Sequence, residues 1–363
     1  MHTPTAGYWI AFSTVDGIGP AKTRRLFERF GSLETAWAQS VETLSRAGID
    51  GPTARAFVQA RQRLDPGAEL AKLDRAGVAA ISWDDDVRYP RLLRHIANPP
   101  VVLFAKGDLL PRDELAVAIV GTRQPSLYGR QVAEKLAGEL AAKGVTIVSG
   151  LARGIDAEVH RAALAASGRT VAVLGSGLDV MYPREHAGLA REIARSGAVL
   201  SDYPLGSQPD AVHFPARNRI VSGLSLGTIV IEAGDTSGAL ITARFAGEQG
   251  RDVFAVPGSV FSKQSLGAHR LIQDGAKLVA TVQDVLDELN LGMVAHQLEM
   301  PVTAEPEDPV EAALLAMLSS DPRHIDDVAR TANMAVAQVS SALTMMELKG
   351  MVRQIGALGY VAS

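Results

Sequence analysis

The amino-acid sequence predicts an α/β protein built on an open, mostly parallel β-sheet. Two observations predict this fold class. Between Leu115 and Leu289, short apolar runs rich in β-branched residues alternate with Ala-rich amphipathic stretches of helical length, and a glycine directly follows several of the runs. This alternation is typical of strand–turn–helix units that cover both faces of a parallel sheet. The expected strands lie at residues 115–120, 145–148, 170–174, 198–200, 228–231, 252–256 and 277–279.

The composition excludes several classes of protein. A chain of 363 residues, 47% hydrophobic and 21% charged, is expected to form two or three ordinary soluble domains. It has no apolar run of 18 residues and no basic-then-apolar leader, which argues against a membrane span or a secretory signal. The absence of cysteine excludes disulfides, thiol nucleophiles and cysteine-bound zinc, and favours a cytoplasmic protein. The eight histidines are scattered, so no metal site is expected.

Residues 1–65 are expected to form a helical domain, because apolar residues recur there at helical spacing. Residues 15–25, with the turn Gly17-Ile18-Gly19, resemble the hairpin of helix-hairpin-helix modules, and residues 47–52 form a weaker second copy. The region carries eight Lys and Arg against six Asp and Glu, whereas the whole chain has a net charge of −4. Accessory DNA contact and a structural or protein-docking role both stay open, and the second is favoured.

Residues 66–290 are assigned to the α/β core, residues 291–309 to a proline-containing linker and residues 310–363 to a small helical domain. Three helices and a closing β-hairpin in this last part have the order of a winged helix. The third helix, 335–348, contains no Lys or Arg. A helix that reads the major groove needs such side chains, so a protein-contact or stabilising role is favoured for this domain.

Three glycine-rich turns of the core indicate a bound phosphate. A glycine after a strand lets the backbone approach an anion, and the helix start that follows favours negative charge. Each turn also has an arginine nearby, Arg123, Arg153 or Arg184. The three turns centre on Gly121-Thr122-Arg123 with Ser126, on Gly150 to Gly154, and on Gly175-Ser176-Gly177.

The segment Phe214-Pro215-Ala216-Arg217-Asn218-Arg219 adds two further guanidinium groups at the start of a helical run. Seen alone, it is typical of a solvated turn. Placed beside the three glycine-rich turns, it is interpreted as one wall of a pocket for a polyanion. The sequence leaves open whether Arg217 and Arg219 both face the ligand or one is held by an acidic neighbour.

Other nucleotide-binding motifs are missing. Gly175-Ser176-Gly177 lacks the third glycine of the dinucleotide fingerprint and does not form a nucleophile elbow. No G-x-x-x-x-G-K-[ST] phosphate loop occurs. Asp156 and Asp179 are interpreted as helix caps or loop-orienting residues.

The core resembles the DNA-processing protein A family, also called Smf. The resemblance covers residues 80–290 densely, and the flanking regions are similar to the optional modules of that family, a SAM-like helical domain and a winged helix. The motifs that carry it include Val148-Ser149-Gly150-Leu151-Ala152-Arg153-Gly154-Ile155-Asp156. The others lie at residues 119–129, 177–184, 214–220, 237–243 and 250–258.

The resemblance implies a Rossmann-like core that binds single-stranded DNA without a cofactor or metal and is not an enzyme. It also implies protection of incoming strands during natural transformation, loading of RecA, and self-association as a homodimer, for which an apolar surface near Leu266 to Ile272 is available. Phe214 is expected to stack on a base. The expected DNA-binding residues are Gly121, Thr122, Arg123, Ser126, Gly150, Arg153, Gly154, Gly175, Gly177, Arg184, Phe214, Arg217, Asn218, Arg219, Ser237, Gly238 and Thr242.

One segment of the chain also fits a rival function. Residues Gly227 to Glu232 resemble the Gly-Thr-x-x-Glu of nucleoside-monophosphate phosphoribohydrolases, in which a glutamate and an arginine cleave an N-glycosidic bond. Glu232 with Arg217 or Arg219 would then be the catalytic pair. The Pro-Gly-Gly that precedes this motif is missing here, and the extra terminal domains suit a nucleoprotein factor better.

Overall fold

The computed structural model describes residues 5–291, 308–319, 323–348, 351–355 and 359–362. The chain divides into two compact units, Met1–Leu291 and Gly292–Ser363. Most of the expected linker lies outside the described residues. Within the described ranges, no helix is long and apolar enough to cross a membrane.

The first unit begins with a helical region whose core is aromatic. Phe12 stacks on Phe57 at a ring-centroid distance of 4.8 Å, and Trp9 is fully buried. Side chains of Ser and Asp cap several of the helices by accepting hydrogen bonds from first-turn N–H groups. The helices are α1 (Ala6–Ser13), α2 (Pro20–Phe30), α3 (Leu33–Trp37), α4 (Val41–Arg46), α5 (Gly51–Ala60) and α6 (Pro66–Ala76).

Two glycine turns join helices of this region at the places where the sequence resembles helix-hairpin-helix modules. Gly17 (φ +81°) lies between α1 and α2, and Gly48 (φ +88°) lies between α4 and α5. Lys22 Nζ bonds Asp50 at 2.8 Å, and Arg25 Nη1 donates to the Gly48 carbonyl at 3.4 Å. These two cations of the first hairpin therefore bind the second turn.

The central sheet of the first unit has nine strands in the order β1-β2-β6-β5-β4-β3-β7-β8-β9. Pairing is parallel from β6 to β9, whereas β1 and β2 pair antiparallel at one edge. The strands are β1 (Ala79–Ser82), β2 (Val102–Gly107), β3 (Ala116–Gly121), β4 (Thr146–Ser149), β5 (Thr170–Leu174), β6 (Ala198–Ser201), β7 (Gly227–Ile231), β8 (Asp252–Ala255) and β9 (Lys277–Leu278).

The expected mostly parallel sheet is confirmed, and all seven expected strands are present as β3 to β9. The edge strands β1 and β2 were not expected. They belong to no strand–turn–helix repeat, and their place in the sheet depends on antiparallel pairing of β2 with β6, at the far side of the sheet from β9.

Helices cover both faces of this sheet. Along β3, Val117 and Ile119 pack in one apolar cluster while Ala118 and Val120 pack in another, as the alternation of side chains along a strand requires. The helices are α7 (Arg91–Arg94), α8 (Leu127–Ala142), α9 (Ile155–Ala165), α10 (Ala187–Ser196), α11 (His213–Gly223), α12 (Gly238–Glu248), α13 (Leu266–Gln273) and α14 (Val282–Glu288).

The direction of chain progression reverses between β3 and β7. From β3 the chain proceeds through β4, β5 and β6 to one side, and β7, β8 and β9 lie on the other side. In open α/β sheets, ligands bind beyond the carboxyl ends of the strands at such a switch point. The topology therefore points to the loops that follow β3 and β7.

The second unit is a small winged-helix fold. A three-stranded antiparallel sheet of order β10-β12-β11 accompanies three helices around buried Leu314, Val328 and Leu343. The third helix has no Lys or Arg in its sequence. The elements are α15 (Pro309–Leu315), β10 (Arg323–His324), α16 (Ile325–Ala332), α17 (Val336–Leu348), β11 (Val352–Ile355) and β12 (Gly359–Ala362).

Candidate nucleic-acid interface

A cavity of about 970 Å³ opens at the carboxyl ends of the central strands, at the switch point between β3 and β7. Ten of the expected site residues line it. A small recess of about 30 Å³, lined by many of the same residues, also includes Arg153 and Gly175. The ten expected residues that line the larger cavity are Gly121, Thr122, Arg123, Gly150, Phe214, Arg217, Asn218, Ser237, Gly238 and Thr242.

The turn after β3 places Thr122 and Arg123 at the cavity. A Cβ on Gly121 would overlap the Ile231 carbonyl of β7, so glycine is needed where these strands end side by side. Arg123 is exposed, and its Cζ lies 5.7 Å from the centre of the Phe214 ring. Its charge is therefore available to a ligand, with its side chain beside an aromatic face.

The turn after β4 is shaped by Asp156, in the first turn of α9. The Asp156 carboxylate accepts hydrogen bonds from the N–H groups of Gly150, at 3.1 Å, and Ala152, at 3.3 Å. This agrees with its interpretation as a loop-orienting residue. Gly154 (φ +80°) lets the backbone of Thr122 approach closely, so the turns after β3 and β4 lie side by side.

The turn after β5 contributes to the recess. Phe214 packs on Gly175, where an added Cβ would lie 3.1 Å from the ring, and Tyr182 contacts Phe214 at a centroid distance of 5.4 Å. Arg153 bonds Glu185 at 2.6 Å, and both side chains are exposed. The recess therefore has aromatic and cationic walls.

Helix α11 separates the two arginines of the expected phosphate-binding segment. Arg217 lines the cavity and is only 4% exposed, whereas Arg219 lies outside the cavity lining. Arg219 donates to Asp202 at 2.8 Å and to the carbonyls of Asn98 and Ala216 at 2.9 and 2.6 Å. Residues two apart on a helix do not face the same side. The acidic neighbour that the sequence left open is thus Asp202, and it holds Arg219.

The buried guanidinium of Arg217 occupies the space that a side chain at residue 150 would fill. A Cβ on Gly150 would overlap the Arg217 Nη1 atom. Burial lowers the pKa of Arg217, while the nearby Asp156 carboxylate raises it. Burial also raises the pKa of Asp156, while Arg217 and the two backbone N–H donors lower it. Each group therefore supports the charged form of the other against desolvation.

A buried histidine lies near this pair. Burial, and secondarily the charge of Arg217, lower the pKa of His160 to about 3, so its ring is neutral at pH 7. Its Nδ1 bonds the Thr170 hydroxyl at 2.7 Å, and its Nε2 has no partner among the described residues. His160 does not line the cavity.

The start of α12 forms the opposite wall. Ser237 caps this helix by accepting a hydrogen bond from the Ala239 N–H, and Gly238 and Thr242 follow it along the cavity. Asn218 Nδ2 donates to the Gly238 carbonyl at 3.4 Å. An eleven-residue helix starting at a cavity favours a negatively charged group there.

The remaining expected residues do not line either cavity. Ser126 caps α8, and Gly177 donates its N–H to the Ser207 carbonyl. Arg184 is exposed in the short 3₁₀ turn Arg184–His186. Gly154 and Arg219 have the structural contacts described above.

The lining residues that the sequence did not indicate as site residues include three polar ones in loops, Thr236, Lys263 and Gln264. Thr236 follows β7, and the other two belong to the long loop after β8. Lys263 is exposed, and Gln264 donates to the Gln124 carbonyl at 2.7 Å. The only available signal was the position of these loops beyond the carboxyl ends of parallel strands.

Glu232, the acid proposed for the rival enzyme, does not line the cavity. Its carboxylate accepts hydrogen bonds from the Ser126 N–H at 2.9 Å and the Ser126 hydroxyl at 2.5 Å. Gly129 packs so closely on this carboxylate that a Cβ would overlap it. Glu232 therefore fastens the start of α8 to the end of β7.

Family models and sequence relatives indicate the same protein family. Residues 80–290 match the model of DNA recombination-mediator protein A, and residues 299–356 match the DprA winged helix domain. Protein Smf of Synechocystis is 36% identical over 396 residues, which cover 99% of this chain and 99% of the relative.

Two solved structures are also similar. DNA processing protein A from Streptococcus pneumoniae has a TM-score of 0.69 and 39% identity, over 79% of this chain and 99% of the other. DNA processing protein A from Helicobacter pylori, described for its single-stranded DNA binding mode, has a TM-score of 0.53 and 32% identity. That match covers 59% of this chain and 95% of the other.

Proposed function

Because the chain belongs to the DNA recombination-mediator protein A family, we propose that it binds single-stranded DNA in the cavity at the switch point. The observation that carries the proposal is the meeting of Arg123, Arg217 and Lys263 in one cavity of about 970 Å³. The single-stranded DNA binding of the Helicobacter pylori relative supports the same ligand.

The cavity offers the two kinds of contact that a single strand uses. Arg123 and Lys263 are exposed cations that attract the phosphate backbone. The free N–H groups at the start of α12 also favour a negatively charged group. The Phe214 ring gives a face on which a base stacks, a contact worth roughly 1–3 kcal/mol. A duplex keeps its bases paired and stacked, so this aromatic face favours a single strand.

The family membership supports a finer proposal. The protein protects incoming single strands during natural transformation and loads RecA on them, in the cytoplasm and as a homodimer. The apolar side of α13, where Leu266 is exposed, is the surface we assign to a second copy of the chain. In this proposal the protein mediates recombination and catalyses no reaction.

A binding assay tests the central proposal. Fluorescence anisotropy with a labelled oligonucleotide is expected to show much tighter binding of the single strand than of the duplex, with affinity falling as salt rises. Arg123→Ala is expected to weaken binding about tenfold, because a charge-assisted contact is lost. The slope of log K against log salt should fall by about 0.7, the value for one phosphate contact on a single strand.

Arg191 on α10 provides the matched control. It is also an exposed arginine, and it does not line the cavity. Arg191→Ala removes the same net charge as Arg123→Ala but leaves the cavity unchanged. The affinity of Arg191→Ala for the single strand should therefore stay close to that of the wild-type protein. Equal weakening by both substitutions would show that net charge, and not the cavity, binds the strand. Release of free base from a nucleoside monophosphate would support the rival enzyme instead.

A further inference from the structure

One cation of the recess is paired with an acid of the protein itself. Arg153 lines the recess together with Arg123, and its Nε donates to the Glu185 carboxylate at 2.6 Å. The side chains of Arg153 and Glu185 are 58% and 50% exposed, so a ligand can reach both. The hydrogen bond from Arg153 holds the pKa of the Glu185 carboxyl below its usual range, and this group is therefore ionised at neutral pH.

A buried contact fixes the two turns that bear this ion pair. Arg153 lies in the turn after β4, and Glu185 lies in the 3₁₀ turn Arg184–His186. The buried His186 ring bonds the Leu151 carbonyl through its Nδ1 atom at 2.9 Å. This bond joins one turn to the other without involving either charge of the ion pair. Glu185 therefore stays within reach of Arg153 when the ion pair opens.

The carboxylate of Glu185 opposes a phosphate at Arg153 in two ways. Carboxylates and phosphates bind the same guanidinium donors, so Glu185 occupies a donor that a strand would otherwise bind. Its negative charge also repels the phosphate backbone within the screening length, which is about 10 Å at 0.1 M salt. An ion pair between exposed side chains is weak, so a strand that is held by other cations can displace Glu185.

We propose that Glu185 is an internal competitor of the DNA phosphate at Arg153, which holds this arginine when no strand is bound and shortens the lifetime of the bound strand. The inference rests on the proposed binding of single-stranded DNA and adds to it a residue that limits affinity. A strand already bound at Arg123 presents a further phosphate to Arg153 at a high effective concentration, and this phosphate displaces Glu185. When the phosphate leaves, Glu185 binds Arg153 again and favours release of the strand.

The substitution Glu185→Gln tests the competition, because it keeps the shape of the side chain and removes its charge. In the anisotropy assay at low salt, this variant should bind a labelled single strand about threefold to fivefold more tightly than the wild-type protein, as for the loss of one exposed ion pair. The gain should shrink as salt rises, since screening weakens both the ion pair and the repulsion. Most of the gain should appear as slower dissociation when excess unlabelled strand is added.

Glu248→Gln is the matched control. Glu248 forms a similar exposed ion pair, with Arg244 at 3.6 Å, at the end of α12 and outside the lining of the cavity and of the recess. This substitution changes the net charge equally, so strand affinity should stay close to that of the wild-type protein. In an Arg153→Ala background, Glu185→Gln should give no gain beyond that of Glu248→Gln, because Glu185 then has no arginine to hold.

Three results would overturn the competition while the proposed function stands. Equal or weaker strand binding by Glu185→Gln would show that Glu185 does not compete and at most orients Arg153. An equal gain from Glu248→Gln would assign the effect to net charge. A gain of full size in the Arg153→Ala background would show that Glu185 does not act through Arg153. Failure of the wild-type protein to bind the single strand overturns both proposals.

Discussion

Replacing Arg219 by alanine is expected to lower the free energy of unfolding by about 3 kcal/mol, with little change in DNA affinity. The magnitude follows from the contacts of this side chain. Arg219 and Asp202 are each 12% exposed, and removal of the arginine leaves a largely buried carboxylate without its cation. Two backbone carbonyls, of Asn98 and Ala216, also lose their donors. Breaking a buried ion pair in this way typically costs about 3–5 kcal/mol.

Thermal and urea unfolding followed by circular dichroism measure this loss. For a unit of this size, about 3 kcal/mol corresponds to a fall in Tm of about 6 °C or more. Below the transition, the affinity of Arg219→Ala for a labelled single strand should stay within about twofold of the wild-type value, since Arg219 does not line the cavity.

Arg123→Ala should behave in the opposite way. Its side chain is exposed and lines the cavity, so binding should weaken while Tm stays unchanged. An Arg219→Ala variant that keeps its Tm and loses DNA affinity would contradict the structural role of Arg219. That result would mean that the contact with Asp202 opens and Arg219 turns to the ligand.

Three further outcomes are expected. Gly150→Ala should weaken DNA binding about tenfold or more in the anisotropy assay, because the new Cβ displaces the Arg217 guanidinium. Gly188→Ala on α10 is the control, since a Cβ there meets no neighbour, and its DNA affinity should equal that of the wild-type protein. The pKa of His160 is lowered to about 3 in the folded protein, below its unfolded value of about 6.5. The contribution of His160 to the free energy of unfolding is therefore fully present above pH 6.5 and is lost as the pH falls towards 3. Wild-type stability in urea should therefore fall by about 2 kcal/mol more than that of His160→Gln between pH 7 and pH 5, and parallel curves would contradict this. Leu266→Arg should convert a dimer to a monomer in light scattering, and an unchanged mass would exclude this surface.

The sequence predicted the central sheet because the two patterns that indicate it, apolar strands and amphipathic helices, are local in the chain. The strands from β3 to β8 are short, mostly apolar runs, and helical periodicity occupies the intervals between them. A glycine at a strand end, such as Gly121 or Gly150, likewise marks a close approach of the backbone in any fold of this kind. The turns that form the cavity were therefore visible before the structure.

The strands β1 and β2 were not visible in this way. Their residues are mostly apolar, but their place in the sheet depends on the antiparallel pairing of β2 with β6. Lys263 was missed for a related reason. It lies in a loop whose approach to the cavity is determined by the path of the chain after β8, and no motif marks it.

What the sequence determined by itself is the set of strands, the glycine turns at their ends and the concentration of arginines around those turns. What only the tertiary structure decided is the role of each polar side chain. Arg217 and Arg219 lie two residues apart, yet α11 directs one to the cavity and the other to Asp202. Glu232 and Ser126 are more than a hundred residues apart and bind each other. The physical reason is that local patterns specify backbone structure, whereas the partners of a charge are set by long-range packing.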